Sequence, residues 1–160
     1  MGKVTGFKEF ERKDESYTSV QERVGHYKEF TVDLSEAEIT KQGSRCMDCG
    51  IPFCHSGCPL GNLIPDLYHM VHQGEWQKAS WILHSTPCEK ACVLGIIEEP
   101  ISIENIEKNI VERAFAEGWI KPQPPKTRTG KTVAVVGSGP AGLAAAQQLN
   151  RAGHTVTVFE

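Results

Sequence analysis

The sequence has no long apolar run, no apolar leader and no strong excess of one charge. A membrane-spanning helix needs about 20 consecutive apolar residues, so we expect none. Residues 1–6 lack the apolar core of a secretory signal, so export is not expected. The net charge of −3 gives no reason to expect binding to nucleic acid or to a membrane surface. We therefore expect a cytoplasmic protein.

Cysteine is scarce outside one short stretch, in which four thiols are spaced C-x2-C-x4-C-x3-C-P. They are Cys46, Cys49, Cys54 and Cys58, and the other two cysteines are Cys88 and Cys92. Without an export signal, such thiols are more often metal ligands than disulfides. The spacing is similar to the bacterial ferredoxin run C-x2-C-x2-C-x3-C-P, which favours iron–sulfur ligation. Zinc is the alternative, because C-x2-C pairs also form zinc ribbons.

Caps and apolar periodicity predict four helices in the first part of the chain. Ser35, Asn62 and Ser102 are candidate N-caps, and Gly43 and Gly74 are candidate ends. The predicted helices span residues 35–43, 62–74, 75–84 and 102–116.

Glu107 lies inside the apolar stripe of the last of these helices, between Ile103, Ile110 and Ala114 at 100° per residue. A carboxylate in that position must be paired, protonated or bound to a metal. The alternative is a partly exposed glutamate at the edge of the stripe.

Residues 121–130 form a proline-rich linker, after which the pattern of the sequence changes. The pattern there is that of a dinucleotide fingerprint in its usual context. It predicts a strand over 131–136, a glycine-rich turn, a helix over 143–152 and a second strand over 154–159 that is followed by an acidic residue. The fingerprint residues are Gly137, Ser138, Gly139, Pro140, Ala141 and Gly142, and the acid is Glu160. The predicted fold is therefore mostly α, with a helical domain over 1–120 followed by the first β-α-β unit of an incomplete Rossmann-type domain over 131–160.

Both halves together resemble the small (beta) subunit of NADPH-dependent glutamate synthase. The resemblance is carried by Thr5-Gly6-Phe7, Tyr27-Lys28-Glu29-Phe30, the run from Arg45 to His55, Pro87-Cys88-Glu89 and residues 137–142, which we call the glycine loop. The N-terminal part of dihydropyrimidine dehydrogenase shares the cysteine module.

The resemblance implies an electron-transfer protein with two [4Fe–4S] clusters and FAD, and with NADPH bound in the full-length protein. One cluster would be held by Cys46, Cys49, Cys54 and Cys92, and the second by Cys58, Cys88 and Glu107. The glycine loop and Glu160 would bind FAD. Electrons would pass to the large (alpha) subunit, which makes glutamate from glutamine and 2-oxoglutarate.

One departure from the family pattern affects the second cluster. Members of the family carry an Arg-Val-Cys-Pro segment before the Pro-Cys-Glu motif, whereas here Thr86 is followed directly by Pro87. The thiol of that segment is absent, so we expect the first cluster to be the better defined one. We also expect no independent enzymatic activity, because the NADPH domain is missing. The alternatives are a metal-stapled docking module without catalysis and a fragment of another oxidoreductase, of the pyrimidine-reducing type.

Overall fold

The structure is a computed structural model, and it describes residues 2–83 and 89–160. Contacts divide the chain into two units, Met1–Trp119 and Ile120–Glu160. The first unit is mostly helical and the second is a small parallel β-α-β unit, so the predicted fold class is confirmed.

Short helices make up most of the first unit. The α-helices are α1 Gly6–Glu9, α2 Val20–Arg23, α3 Glu36–Ser44, α4 Phe53–Gly57, α5 Ile64–His72, α6 Trp76–Ile82 and α7 Ile103–Ala116. Two 3₁₀ segments, Glu89–Ala91 and Val93–Ile96, precede α7. Strands β1 (Ser16–Tyr17) and β2 (Thr31–Val32) form an antiparallel pair near the N-terminus. Within residues 2–83 and 89–160, no helix combines the length and the apolar character needed to span a membrane.

Of the three predicted N-cap residues, only Ser35 makes a capping hydrogen bond in the structure. The Ser35 side chain accepts a hydrogen bond from the backbone N–H of Glu38, as a cap of α3 should. The prediction for Asn62 is wrong, because α5 is capped by Leu63 without a side-chain hydrogen bond. The amide of Asn62 is instead used in a buried contact described below. Ser102 stands at the N-cap of α7, but its side chain makes no capping bond there.

The core of the first unit lies between α3, α5, α6 and α7, which pack in the pairs α3 with α5, α5 with α6, α6 with α7 and α3 with α7. Its fully buried apolar side chains include Ile39, Leu67, Val71, Ile106 and Ile110. The apolar stripe of α7 thus faces this core, as the helical period predicts. This packing fixes the helices that carry the residues of the candidate site.

The second unit contains β3 (Thr132–Val136), α8 (Pro140–Arg151) and β4 (Thr155–Phe159). The two strands are parallel, with Thr132 opposite Thr155. Helix α8 begins at Pro140, earlier than predicted, because a proline at the first helical position needs no hydrogen-bond acceptor for its nitrogen. Both strands remain largely exposed, as expected of two strands that cannot bury their own faces.

Candidate metal centre

Four cysteines line a single pocket in the first unit. The cavity in this pocket has a volume of about 20 Å³. Its thiols belong to Cys46, Cys49, Cys54 and Cys92. The rest of the lining is almost wholly apolar and consists of Met47, Pro52, Phe53, Ile64, Pro65, Tyr68, Val93, Leu94, Ile101 and Ile103. These are the same four thiols that the family resemblance assigns to one cluster, and we refer to them as the first site.

Local backbone structure orients three of these thiols. The loop between α3 and α4 carries Cys46 and Cys49, and α4 itself carries Cys54. Between the first two, Asp48 has a φ of 52°, in the left-handed region that aspartate tolerates better than most residues. The backbone N–H of Asp48 hydrogen-bonds to the sulfur of Cys46. The loop thus turns tightly enough for both of its thiols to face the pocket.

The fourth thiol comes from a distant segment that approaches α4 closely. Gly57, the last residue of α4, faces Ala91, the residue before Cys92. A Cβ atom at position 57 would lie 2.3 Å from the Cβ of Ala91, which is too close for two carbon atoms that are not bonded to each other. The absence of a side chain at Gly57 therefore allows Cys92 to reach the same pocket as Cys54.

Two arginines tie this distant segment to the rest of the unit. Arg45 is 2% exposed, and its guanidinium donates to the carbonyl oxygens of Glu99 (2.9 Å) and Pro100 (3.2 Å). Arg12 donates to the same Pro100 carbonyl (3.3 Å) and to Glu89 Oε2 (2.8 Å). Since Arg45 directly precedes Cys46, these bonds join the two segments that supply the four thiols.

Burial raises the pKa of three thiols in the pocket. It raises the pKa of Cys46 to about 12, with neighbouring thiols adding to the effect and the Asp48 N–H opposing it. It raises the pKa of Cys54 to about 11, and it raises the pKa of Cys49 as well. These thiols are neutral at neutral pH in the cluster-free protein, so metal binding must release their protons.

The donor set of the first site fits an iron–sulfur cluster. Four thiolates are the usual ligands of a [4Fe–4S] cluster, in which each thiolate binds a different iron. Four thiolates are also the ligands of one class of structural zinc site. The four thiols and their apolar surroundings therefore fit the cluster.

Cys58 does not belong to this pocket, although it lies only four residues after Cys54. It follows α4 as the C-cap, where φ of −90° and ψ of 112° turn the chain out of the helix. Its side chain is buried, with 7% exposure. Its sulfur accepts a hydrogen bond from the backbone N–H of Asn62 at 3.2 Å.

Glu107 lies close to this second group. Asn62 Nδ2 donates to Glu107 Oε1 at 2.7 Å, so the asparagine links the carboxylate to Cys58. Glu107 is 1% exposed, and the interpretation of it as an exposed residue at the edge of the stripe is wrong. Cys88 lies outside the described residues. We refer to Cys58, Cys88 and Glu107 as the second site.

The sequence analysis missed several residues that shape the first site. Tyr68 lines the pocket from α5 and is completely buried, and burial raises its pKa well above the ordinary tyrosine value. Negative charge on Glu107 raises that pKa further. Its spacing of four from Ile64 on α5 could have placed it on the buried face. Arg45 and Gly57 carried no comparable signal, because their roles depend on a segment far away in sequence.

In the second unit, the glycine loop connects β3 to α8. Gly137 has a φ of 98°, which favours glycine. A Cβ at Gly142 would lie 2.1 Å from the Gly137 carbonyl oxygen, so the third glycine allows the helix to approach the strand. Space around Gly139 is open, and Ser138, Pro140 and Ala141 complete the turn. Glu160 accepts a hydrogen bond from the Ser138 N–H. Hydrogen bonding to the side chain and then to the backbone of Ser138 lowers the pKa of Glu160.

Two family models match the chain. The model described as dihydropyrimidine dehydrogenase domain II, 4Fe-4S cluster, matches residues 23–119. The model of an NAD(P)-binding Rossmann-like domain matches residues 135–160. The first match includes every residue of both candidate sites, and the second includes the glycine loop and Glu160.

The chain is also similar to several glutamate synthases, which confirms the resemblance seen in the sequence. It is 54% identical to the small chain of glutamate synthase [NADPH] from Mycobacterium tuberculosis, over 86% of this chain and 31% of that protein. It is 46% identical to the corresponding Bacillus subtilis small chain, over 100% of this chain and 37% of that protein. Glutamate synthase [NADH] from Saccharomyces cerevisiae is 49% identical over 99% of this chain and 8% of that protein.

The chain thus spans about a third of the length of the bacterial small chains that it matches. The first family model covers more than half of the chain, and the four-thiol pocket lies within the matched residues. The chain therefore belongs to the family of dihydropyrimidine dehydrogenase domain II proteins with a 4Fe-4S cluster.

Proposed function

We propose that this chain is the electron-transfer portion of a glutamate synthase small subunit. The observation that carries the proposal is the convergence of Cys46, Cys49, Cys54 and Cys92 on one apolar pocket. The relatives named as glutamate synthase, at 46–54% identity, supply the reaction in which such a centre would work. No feature of the described residues favours a docking module or a pyrimidine-reducing enzyme over this function.

The first site would hold a [4Fe–4S] cluster through its four thiolates. When bound, such a cluster takes up and passes on one electron at a time. The chain contributes a water-poor, apolar pocket and backbone N–H groups near the sulfurs, both of which influence the reduction potential. The hydrogen bonds of Arg45 and the close approach at Gly57 would keep the two thiol-bearing segments together around the cluster.

The second site would use Cys58, Cys88 and Glu107 as ligands of a second cluster. Cys58 and Glu107 are buried, and both are hydrogen-bonded to Asn62. Their proximity supports the proposal that they bind the same cluster. A carboxylate would stand where the family has its ligand other than cysteine. The missing Arg-Val-Cys-Pro segment leaves this site one thiol short of the family pattern, so we expect it to bind its cluster more weakly than the first site.

The glycine loop and Glu160 would bind FAD. When bound, FAD accepts an electron pair from NADPH and releases the electrons singly. The N-terminus of α8 would face the diphosphate, and open space at Gly139 would admit it. Glu160 already accepts from Ser138 through one oxygen, and its second oxygen would accept from a ribose hydroxyl.

The partner would be the large (alpha) subunit of glutamate synthase, as the name "small chain" of the relatives implies. Electrons from NADPH would reach that subunit, which makes glutamate from glutamine and 2-oxoglutarate in the cytoplasm. The NADPH site would lie in a part of the small subunit beyond the present sequence.

Anaerobic purification followed by iron and sulfide analysis tests the proposal. We expect a brown protein with iron and acid-labile sulfide in equal amounts, at about four of each per chain from the first site alone. Addition of a strong reductant should bleach the visible absorption and produce an electron paramagnetic resonance signal. A colourless protein with stoichiometric zinc would contradict the proposal, and so would an iron content that the change Cys54→Ser leaves undiminished.

A further inference from the structure

Tyr68 carries a buried hydroxyl group that the protein leaves without a hydrogen bond. The residue lies on α5 with 0% exposure and lines the first site. Its Oη atom has no hydrogen-bond partner among residues 2–83 and 89–160. The rest of the pocket lining is apolar apart from the four thiols, so nothing else in it can accept from the hydroxyl.

Such a hydroxyl requires an explanation. Buried tyrosine hydroxyls normally find a partner, because leaving one unsatisfied lowers the stability of the folded protein. A phenylalanine at this position would fill the same space at no such cost. The ionisable neighbours of the hydroxyl are Glu107, which accepts a hydrogen bond from Asn62, and the thiols of Cys46, Cys54 and Cys92. These thiols border the pocket that Tyr68 lines, so the pocket is the place to look for the missing acceptor.

An iron–sulfur cluster brings acceptors into this space. Its sulfides and thiolate sulfurs carry negative charge and accept hydrogen bonds, and such bonds are among the factors that set reduction potentials. The reduced cluster carries one more negative charge than the oxidised cluster. A hydrogen-bond donor therefore stabilises the reduced form more and makes the potential less negative.

We propose that the hydroxyl of Tyr68 donates a hydrogen bond to a sulfur atom of the cluster in the first site and thereby raises its reduction potential. The inference rests on the proposed function, because it requires that the first site holds a cluster. In this role Tyr68 touches the cluster, but it binds no iron and exchanges no electron.

The test compares Tyr68→Phe with the original residue in the full chain, in a Cys58→Ser background that removes the second cluster. Reduction is followed by electron paramagnetic resonance during a redox titration. We expect about a threefold to tenfold decrease in the ratio of reduced to oxidised cluster at a fixed potential. A tenfold change corresponds to a shift of about 59 mV to more negative potential for one electron. Tyr27→Phe, which removes a fully exposed hydroxyl, is the matched control and should leave the potential unchanged.

A second measurement separates this role from a purely structural one. In the cluster-free protein the hydroxyl has no partner, so Tyr68→Phe should leave the thermal unfolding temperature unchanged or raise it. In the cluster-loaded protein the same change should lower the temperature at which the cluster is lost. A structural hydrogen bond within the protein would instead destabilise both forms.

The possible outcomes distinguish the inference from the function on which it rests. An unchanged potential in a loaded Tyr68→Phe protein overturns the inference and leaves the proposed function intact. A folded Tyr68→Phe protein that cannot assemble its cluster also overturns it, because a donor that only adjusts the potential is not needed for assembly. If the original protein binds no iron under anaerobic conditions, both fail together.

Discussion

The two candidate sites share one cysteine loop but differ in what surrounds them. The first site is an apolar pocket in which four thiols from two segments of the chain face one space. In the second site, Cys58 and Glu107 are buried and already joined by hydrogen bonds through Asn62. The first site thus offers thiols as ligands for a bound group in otherwise apolar surroundings. In the second site, hydrogen bonds within the protein already use part of the bonding capacity of Cys58 and Glu107.

The difference arises at the end of α4. Cys54 lies within the helix and faces the pocket, whereas Cys58 follows as the C-cap in extended conformation. A spacing of four would place both thiols on one face of a continuous helix. Because the helix ends between Cys54 and Cys58, the two thiols lie in different environments. We therefore expect a substitution at a residue of one site to affect that site and to leave the other unchanged.

The sharpest test of that separation is the removal of one thiol from each site. We expect Cys92→Ser to abolish the first cluster, with a loss of about four irons per chain, because the pocket then offers only three thiolates. Cys58→Ser should retain this cluster. Iron and sulfide analysis of anaerobically reconstituted protein gives the answer, and complete loss of iron in Cys58→Ser would mean that the sites are not separate.

The next largest effect is expected where the two thiol-bearing segments touch. Gly57→Ala would place a methyl group 2.3 Å from the Cβ of Ala91, and neither atom can rotate away. Overpacking of this kind costs about 1–3 kcal/mol, so the segment with Cys92 should be pushed outward and the first cluster should be lost about tenfold faster to an iron chelator. Bleaching of the visible absorption measures the rate.

Gly50→Ala is the matched control for this change. Gly50 lies in the same loop, directly after Cys49, and a Cβ there would meet no atom within 4 Å. The control should lose iron at the original rate. Similar acceleration in both variants would show that the loop is sensitive to any added methyl group, and the role assigned to the contact with Ala91 would be wrong.

The sequence predicts the features of these sites that depend on local rules. Ser35 caps α3 because its side-chain oxygen can accept from the N–H of Glu38, three residues later in the first turn. Glu107 is buried because the period of α7 places it among isoleucines. The ligand sets of the two sites came from the family resemblance, and they stay predictions. Spacing alone does not show that Cys92 belongs with Cys46 rather than with Cys88.

The sequence fails where a side chain is used by a distant segment. Asn62 was expected to cap α5, since asparagine before a helix commonly does so, yet its amide serves Glu107 45 residues later. Arg45 gives no local sign that it binds the carbonyls of Glu99 and Pro100. The local sequence allows each of these side chains several hydrogen-bond partners of the same chemical type, and the tertiary contacts determine which partner is used.

Arg45 offers a smaller but selective perturbation of the first site. Arg45→Lys keeps the positive charge but cannot donate to both carbonyls with the geometry of a guanidinium. We expect about a threefold to tenfold faster loss of the first cluster to a chelator, because the loss of one hydrogen bond loosens the segment that carries Cys92. Arg151→Lys, an exposed change in the second unit, should have no effect, and a similar effect there would contradict the assignment.

Asn62 has a role in the second site similar to that of Arg45 in the first. We expect a substitution of Asn62 to change the stability of the protein and not the first cluster. Asn62→Ala removes the hydrogen bond to the buried Glu107 carboxylate, which should lower the free energy of unfolding of the cluster-free chain by about 1–3 kcal/mol in urea. Asn109→Ala removes bonds made only within α7 and should cost less. The iron content of the first site should be unchanged in both variants. If Asn62→Ala instead depleted the first site while leaving stability intact, the polar network would belong to both sites, and the contrast between them would have to be abandoned.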